Sequence, residues 1–322
     1  MPSALVTGAT GMVGSTMIDY ILENHPDYDV VAMRRDRSDL RNVTHLLQHP
    51  RVHWEIGDLA DAHSQYDLLR RHTPDRCFHT AAMSHVPTSR LAPAECMKVN
   101  VIGQINLFEA LRQTAPECRI QICGSSEQYG LVLPDEIPVK ETNSFRPLSP
   151  YACSKISQDM LGYQYARNYG MKIVRTRAFN HSGARRHEAF SEATFSIQIA
   201  QIEKGMREPV IEHGNLTPIR DMTHVRDIVR AYWMSLDGGC VWGEAYNICS
   251  GIGLCVQDML DYLTGLTPVR ITTREDPARV RPSDVPILIG DSTRFREATG
   301  WTPRYNWQET LSECLDYWRG QI

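Results

Sequence analysis

Gly8, Gly11 and Gly14 stand three residues apart, directly after the apolar run Ala4-Leu5-Val6-Thr7 and directly before a helical pattern. That pattern is carried by Val13, Met17, Ile18, Ile21 and Leu22, spaced by threes and fours. Strand, G-x-x-G-x-x-G and helix in this order leave few folds open. Glycines permit a sharp turn. Their missing side chains let the amides at the helix start, those of Met12 and Val13 included, approach a pyrophosphate. The sequence therefore predicts a dinucleotide site at the first strand–helix turn, in preference to an ordinary glycine-rich turn.

The second strand, Asp29-Val30-Val31-Ala32-Met33, ends about twenty residues later, where an NAD site is expected to carry an acidic residue for the ribose hydroxyls. Arg34-Arg35 follows instead, with Asp36 beside it. Guanidinium groups suit a 2′-phosphate, so NADP is expected over NAD. Further strand–helix alternation brings Asp58 and Leu59 to an adenine, with Asp58 accepting from its amino group. Ala81 and Ala82 are small enough for a dinucleotide to lie close. Repeated units of this kind predict a doubly wound parallel α/β sheet of the Rossmann type, with ligands past the strands' carboxyl ends. Ser125 and Glu127 fall there, after Arg119-Ile120-Gln121-Ile122-Cys123. From about residue 180 the alternation loosens and prolines punctuate shorter elements. The expected division is a dinucleotide-binding domain over 1–179, joined by returning segments, and a smaller α/β substrate-binding lobe over 180–322.

Tyr151 and Lys155 are four residues apart, one helical turn, and project from one face. An ammonium beside a phenol favours the phenolate, which suits acid–base chemistry between an alcohol and a ketone. A chance Tyr–Lys pair on a surface helix is the plainer reading of the motif alone; its neighbours argue against that.

A net charge of −4 over 322 residues gives no footprint for nucleic acid. Nine cysteines without any C-x-x-C predict reduced thiols and a cytoplasmic protein. No leader pattern or membrane-spanning run is read. His181, His187, His213 and His224 lack metal-ligand spacing, so no metal is expected. The stripe Trp307, Leu311, Leu315 and Trp318 predicts a closing helix packed as core.

Taken together, the glycine turn, Ser125 and Y-x-x-x-K resemble the extended short-chain dehydrogenase/reductase family. The details resemble its subgroup acting on GDP-mannose-type sugars. Arg34-Arg35-Asp36-Arg37-Ser38 is similar to the arginine-rich loop of GDP-mannose 4,6-dehydratases, as are Ser84-His85-Val86, Ser125-Ser126-Glu127 and Arg185-Arg186. The resemblance implies Ser125, Glu127, Tyr151 and Lys155 as catalytic residues. It implies substrate contacts from Ser84, His85, Ser126, Asn180, Arg185, Arg220 and Arg281, the last two gripping a diphosphate. It also implies a GDP-linked sugar and a homodimer or homotetramer. Two activities stay open. A dehydratase recycles its NADP internally and needs Glu127 as base at C5. A reductase of the 4-keto-6-deoxy sugar consumes NADPH, and such enzymes keep a glutamate at that position too. Met12-Val13 and the segment Val174 to His181 resemble the reductases more. A catalytically silent regulator is expected to have lost one of Ser125, Tyr151 and Lys155, and all three are present.

Overall fold

The computed structural model describes residues 1–280 and 285–322. The amino-terminal half runs β1 (Ser3–Thr7), α1 (Met12–Asn24), β2 (Asp29–Arg34), β3 (Val52–Ile56), α2 (Ala62–His72) and β4 (Arg76–His79). It continues through α3 (Val86–Leu91), α4 (Pro93–Met97), α5 (Gly103–Thr114), β5 (Arg119–Ser125), α6 (Pro150–Tyr169) and β6 (Lys172–Ala178). Next come β7 (Asn180–Ser182), α7 (Ser191–Glu203), β8 (Val210–His213), β9 (Ile219–His224), α8 (Val225–Ser235) and β10 (Ala245–Ile248). The last elements are β11 (Gly253–Cys255), α9 (Val256–Gly265), β12 (Thr272–Glu275), β13 (Ile287–Leu288), α10 (Thr293–Thr299) and α11 (Trp307–Gln321).

Seven strands form one parallel sheet in the order β10-β6-β5-β4-β1-β2-β3. The winding reverses between β1 and β4, which opens a crevice past their carboxyl ends. This is the doubly wound architecture the alternation predicts. On one face, Met17, Ile18 and Ile21 of α1 pack with Ile228, Val229 and Trp233 of α8 over Val6 and Val30. On the other, Leu68 of α2, Leu107 and Leu111 of α5 and Tyr165 of α6 cover Leu5, Val31 and Ile120. Each such side chain, fully buried, contributes about 1.5–3 kcal/mol. The loops at the sheet edge therefore rise from a stiff base.

One helix departs from its sequence pattern. Val99, Ile102, Leu107 and Leu111 read as one continuous stripe, yet residues Lys98–Ile102 form a π-turn between α4 and α5. The extra residue rotates the helix, leaving Ile102 half exposed and turning Asn100 and Gln104 inward. The stripe resumes at Leu107.

Beyond β6 the chain returns β10 to the large sheet and builds two small ones, β11-β9-β13 with β7 on β9, and β12-β8. Their core joins Phe195 and Ile199 of α7, Leu260 of α9, and Leu311 and Leu315 of α11. A reciprocal cap between Asn306 and Glu309 starts α11. All nine cysteines are free thiols. Among the described residues no helix is long and apolar enough to cross a membrane, and no cluster of acidic, histidine or cysteine side chains has the makings of a metal site.

Candidate functional site

At the end of β1, Gly8 adopts φ +67°, and a Cβ there would sit 2.9 Å from Ala81 Cα, past the end of β4. A Cβ on Gly14 would lie 2.2 Å from Gly8 O, so α1 presses directly on the turn. Gly11 caps α1 without a side-chain hydrogen bond, and the amides of Met12, Val13 and Gly14 start the helix. Small residues at 81 and 82 face this turn across the crevice. The Asp58–Leu59 corner is fixed from outside: Gln65 and Asn106 both donate to Leu59 O, at 2.7 and 2.9 Å, and Asp58 Oδ1 accepts the Ala60 N–H at 2.9 Å. Arg34 closes β2 and curls Nη1 back onto the carbonyls of Arg35 and Asp36, at 3.1 and 3.2 Å. Its Nε is buried and has no partner among the described residues. A cradle with no room for side chains, open helix amides and an unsatisfied guanidinium at the second strand's end fit a dinucleotide with an extra phosphate.

The acid–base group lies one sheet position away. Ser149 caps α6, accepting the Ala152 N–H at 3.1 Å, and Pro150 occupies its first turn. Tyr151 follows, its N–H held by Ser89 Oγ at 3.2 Å. Tyr151, Lys155 and Asp159 form one buried stripe along α6. Ser125 is the last residue of β5, two residues beyond the run read from the sequence, and its hydroxyl lies near the Tyr151 phenol. Its Oγ also accepts the Glu127 N–H at 3.2 Å, in a single 3₁₀ turn spanning Ser126–Gln128. Ser126 is buried within that turn.

The electrostatics correct one expectation. Burial pushes the Tyr151 phenol well above its ordinary range; the Ser125 hydrogen bond opposes this and the nearby Glu127 charge adds to it. Lys155 does not reverse the balance. Its Nζ donates to Cys123 O at 2.8 Å, 5.9 Å from the Tyr151 ring centre, and burial brings the ammonium itself down to about 8. In the protein alone the phenol is therefore protonated at neutral pH.

Two buried side chains that the sequence reading passed over hold this corner. Asn100, turned inward by the π-turn, accepts the Met83 N–H at 2.7 Å and donates to Ser154 Oγ at 2.8 Å. It thereby ties the segment after β4 to α6. Gln128, wholly buried, accepts the Ser125 N–H at 2.8 Å.

On the sugar side the expected residues divide. Ser84 is exposed just beyond Ala82, and His85 bonds Thr88 Oγ1 at 2.8 Å, its ring edge meeting Phe190 at 6.0 Å. Arg186 stacks 3.5 Å over the same Phe190 and pairs with Glu192 at 2.7 Å. Arg185 does not join them: it pairs with Asp19 of α1 at 2.6 Å, in a cleft between α1, α8 and Arg304-Tyr305. The cause is local. Arg185 has φ +67°, which reverses the chain and sends neighbouring side chains to opposite sides. Arg186 thus shares the Phe190 ring with His85, while Arg185, expected as a substrate contact, lies against α1. His181 lies near it, its imidazole lowered to about 4 by burial and then by the Arg186 charge. Asn180 opens β7, past the end of β6. Arg220 on β9 turns Nη1 onto Ile219 O, while Asp221 accepts from Ser250, Gly251 and Gly290 and ties two loops to β9. Arg281 lies outside the described residues.

The family model described as GDP-mannose 4,6 dehydratase matches residues 5–314. A GDP-mannose 4,6-dehydratase of Yersinia enterocolitica is 30% identical over 351 residues, covering 98% of this chain and 93% of the relative. A GDP-6-deoxy-D-mannose reductase of Pseudomonas aeruginosa is 28% identical over 317 residues, covering 98% and 97%. The solved structure described as RMD from Pseudomonas aeruginosa complexed with NADPH superposes with a TM-score of 0.87 at 26% identity, each chain covered completely.

Proposed function

The chain belongs to the GDP-mannose 4,6-dehydratase family, and on that premise we propose that it converts a GDP-mannose-type sugar to its 4-keto-6-deoxy form. Gly8, Gly11, Met12, Val13 and Gly14, with Asp58, Leu59, Ala81 and Ala82, would hold the dinucleotide. Arg34 and Arg35 select NADP, in keeping with the solved relative that carries NADPH. When bound, NADP would supply a reversible hydride acceptor for the sugar C4.

The chain's own groups manage the protons. Tyr151, once it has lost its own proton to solvent, takes the proton of the 4-hydroxyl while Ser125 hydrogen-bonds the same oxygen, and Lys155 lends positive charge to the phenolate. A 4-ketone acidifies C5. Glu127 then removes the C5 proton and the 6-hydroxyl leaves as water; the two captured protons cover the water and the restored C5–H. His85 and Arg186 line the approach, and Asn180 and Arg220 reach for the diphosphate. The observation that carries this reading is the place of Glu127 in the turn directly after Ser125, its N–H donating to Ser125 Oγ at 3.2 Å. Ketone reduction has work for Ser125 and Tyr151; elimination also needs a base.

Reduction of the 4-keto-6-deoxy sugar is the second reading, and two observations favour it. The reductase aligns over 317 positions, about this chain's own length, whereas the Yersinia dehydratase alignment runs to 351 on a chain of 322. The protonated Tyr151 phenol is also the form that delivers a proton to a ketone. Incubation with GDP-mannose and no added reductant separates them. The dehydratase reading expects a product lighter by one water. Unchanged GDP-mannose, with NADPH-dependent loss of the 4-keto-6-deoxy sugar, would overturn it in favour of the reductase. Inertness to both would leave a regulator.

Half-exposed Ile102, Met160 and Tyr163 on the α5–α6 side offer a face for a second copy, so we expect a homodimer at least. Mostly buried free thiols suit the cytoplasm.

A further inference from the structure

Gln128 sits in the turn after β5 with no exposed surface. A buried amide is costly unless its donor and acceptor are both used. Its Oε1 accepts the Ser125 N–H at 2.8 Å and its Nε2 donates to Asp159 Oδ2 at 3.1 Å. The orientation follows from chemistry. An ionised carboxylate only accepts, so Nε2 must face Asp159 and Oε1 is delivered to Ser125. Asp159 is itself held by Arg175 and by Arg177 Nε, the latter at 2.7 Å, and needs no amide for charge balance. There is also no slack: a Cβ on Gly124 would meet Gln128 Oε1 at 2.7 Å and Thr176 O at 2.5 Å.

Asp159 stands eight residues after Tyr151 on the same buried face of α6. The serine's strand end and the tyrosine's helix are therefore linked through one amide and one carboxylate. With the Glu127 N–H occupying a lone pair of Ser125 Oγ, the serine hydroxyl proton remains for the reacting oxygen.

We propose that Gln128 is a positioning residue, fixing Ser125 against Tyr151 through Asp159. The assignment rests on Ser125 and Tyr151 being catalytic, and holds for the dehydratase and the reductase alike. Its test is steady-state kinetics with GDP-mannose, or with the 4-keto-6-deoxy sugar and NADPH, beside NADPH affinity and thermal melting. Gln128→Leu is expected to lower kcat roughly 10- to 100-fold, the scale of a small misplacement, with KM and NADPH affinity within about twofold. Gln128→Glu sets two carboxylates together. It should be slow at neutral pH and recover at lower pH, where a protonated glutamate donates to Asp159.

Unchanged kcat in Gln128→Leu would overturn the role. So would a loss matched by equal losses of NADPH affinity and melting temperature, or a Gln128→Glu variant that does not recover at lower pH. Where Gln128→Leu fails to fold, the pH recovery of Gln128→Glu decides. Tyr151→Phe run alongside separates the two levels. Activity surviving there overturns the catalytic reading itself; its loss beside an unaffected Gln128→Leu overturns only the positioning.

Discussion

The acid–base wall of the site and its phosphate-gripping wall are built in opposite ways. Ser125, Tyr151 and Lys155 lie on a strand end and a long helix, tied down by Ser89, Asn100 and Gln128. Arg34 and Arg35 sit on a loop that hydrogen-bonds mostly to itself, and Arg220 curls onto its own strand. Proton and hydride transfer demand reacting atoms at fixed separations, so that wall is rigid and dry. Gripping phosphates needs charge at the end of a long reach, which loops supply. Substitutions in the first wall should therefore strike turnover, and those in the second should strike affinity.

The sharpest way to break that contrast is Tyr151→Phe. Turnover should fall by roughly 10²–10⁴-fold, the usual share of a positioned acid–base group, with NADPH affinity nearly kept. Stopped-flow binding beside steady-state rates checks it; equal losses in both would merge the two walls. Glu127→Gln should cost dehydration roughly 10²-fold yet leave C4 oxidation in place, read as trapped reduced cofactor absorbance. Gly14→Ala forces a methyl onto Gly8 O, so melting should show a loss of about 1–3 kcal/mol together with weaker NADPH binding. Arg34→Ala should weaken NADP(H) roughly tenfold and NAD(H) hardly at all, with kcat kept at saturation. An equal effect on both dinucleotides would remove the phosphate role.

The smallest effect is that of pH. The Lys155 ammonium is held at about 8 in the protein alone, below its ordinary value, so it is charged below that pH and neutral above it. Since the charged form assists the phenol, kcat/KM should decline as pH rises through about 8. A profile of Lys155→Met should lack that limb.

The same contrast explains what was legible in the sequence. The three glycines, Tyr151 with Lys155, and the β–α alternation are local patterns whose physics needs only a few neighbouring residues. Asn100 looked like part of an apolar helix until a π-turn rotated it inward. Gln128 acts through Asp159, 31 residues later, a contact that only the folded sheet creates. That Arg185 and Arg186 pair with different elements was not legible, because a positive φ at Arg185 leaves no trace in composition or spacing. Lys155 was expected to lower the Tyr151 phenol, but burial, which sequence spacing does not report, acts more strongly in the other direction.

One tracer experiment meets the central claim head-on. GDP-mannose carrying deuterium at C4 is incubated with the protein and no added reductant, and the product is analysed by mass spectrometry and NMR. Deuterium recovered at C6 of a 4-keto-6-deoxy sugar is the predicted result. A product with its label still at C4, or no product at all, would contradict the account.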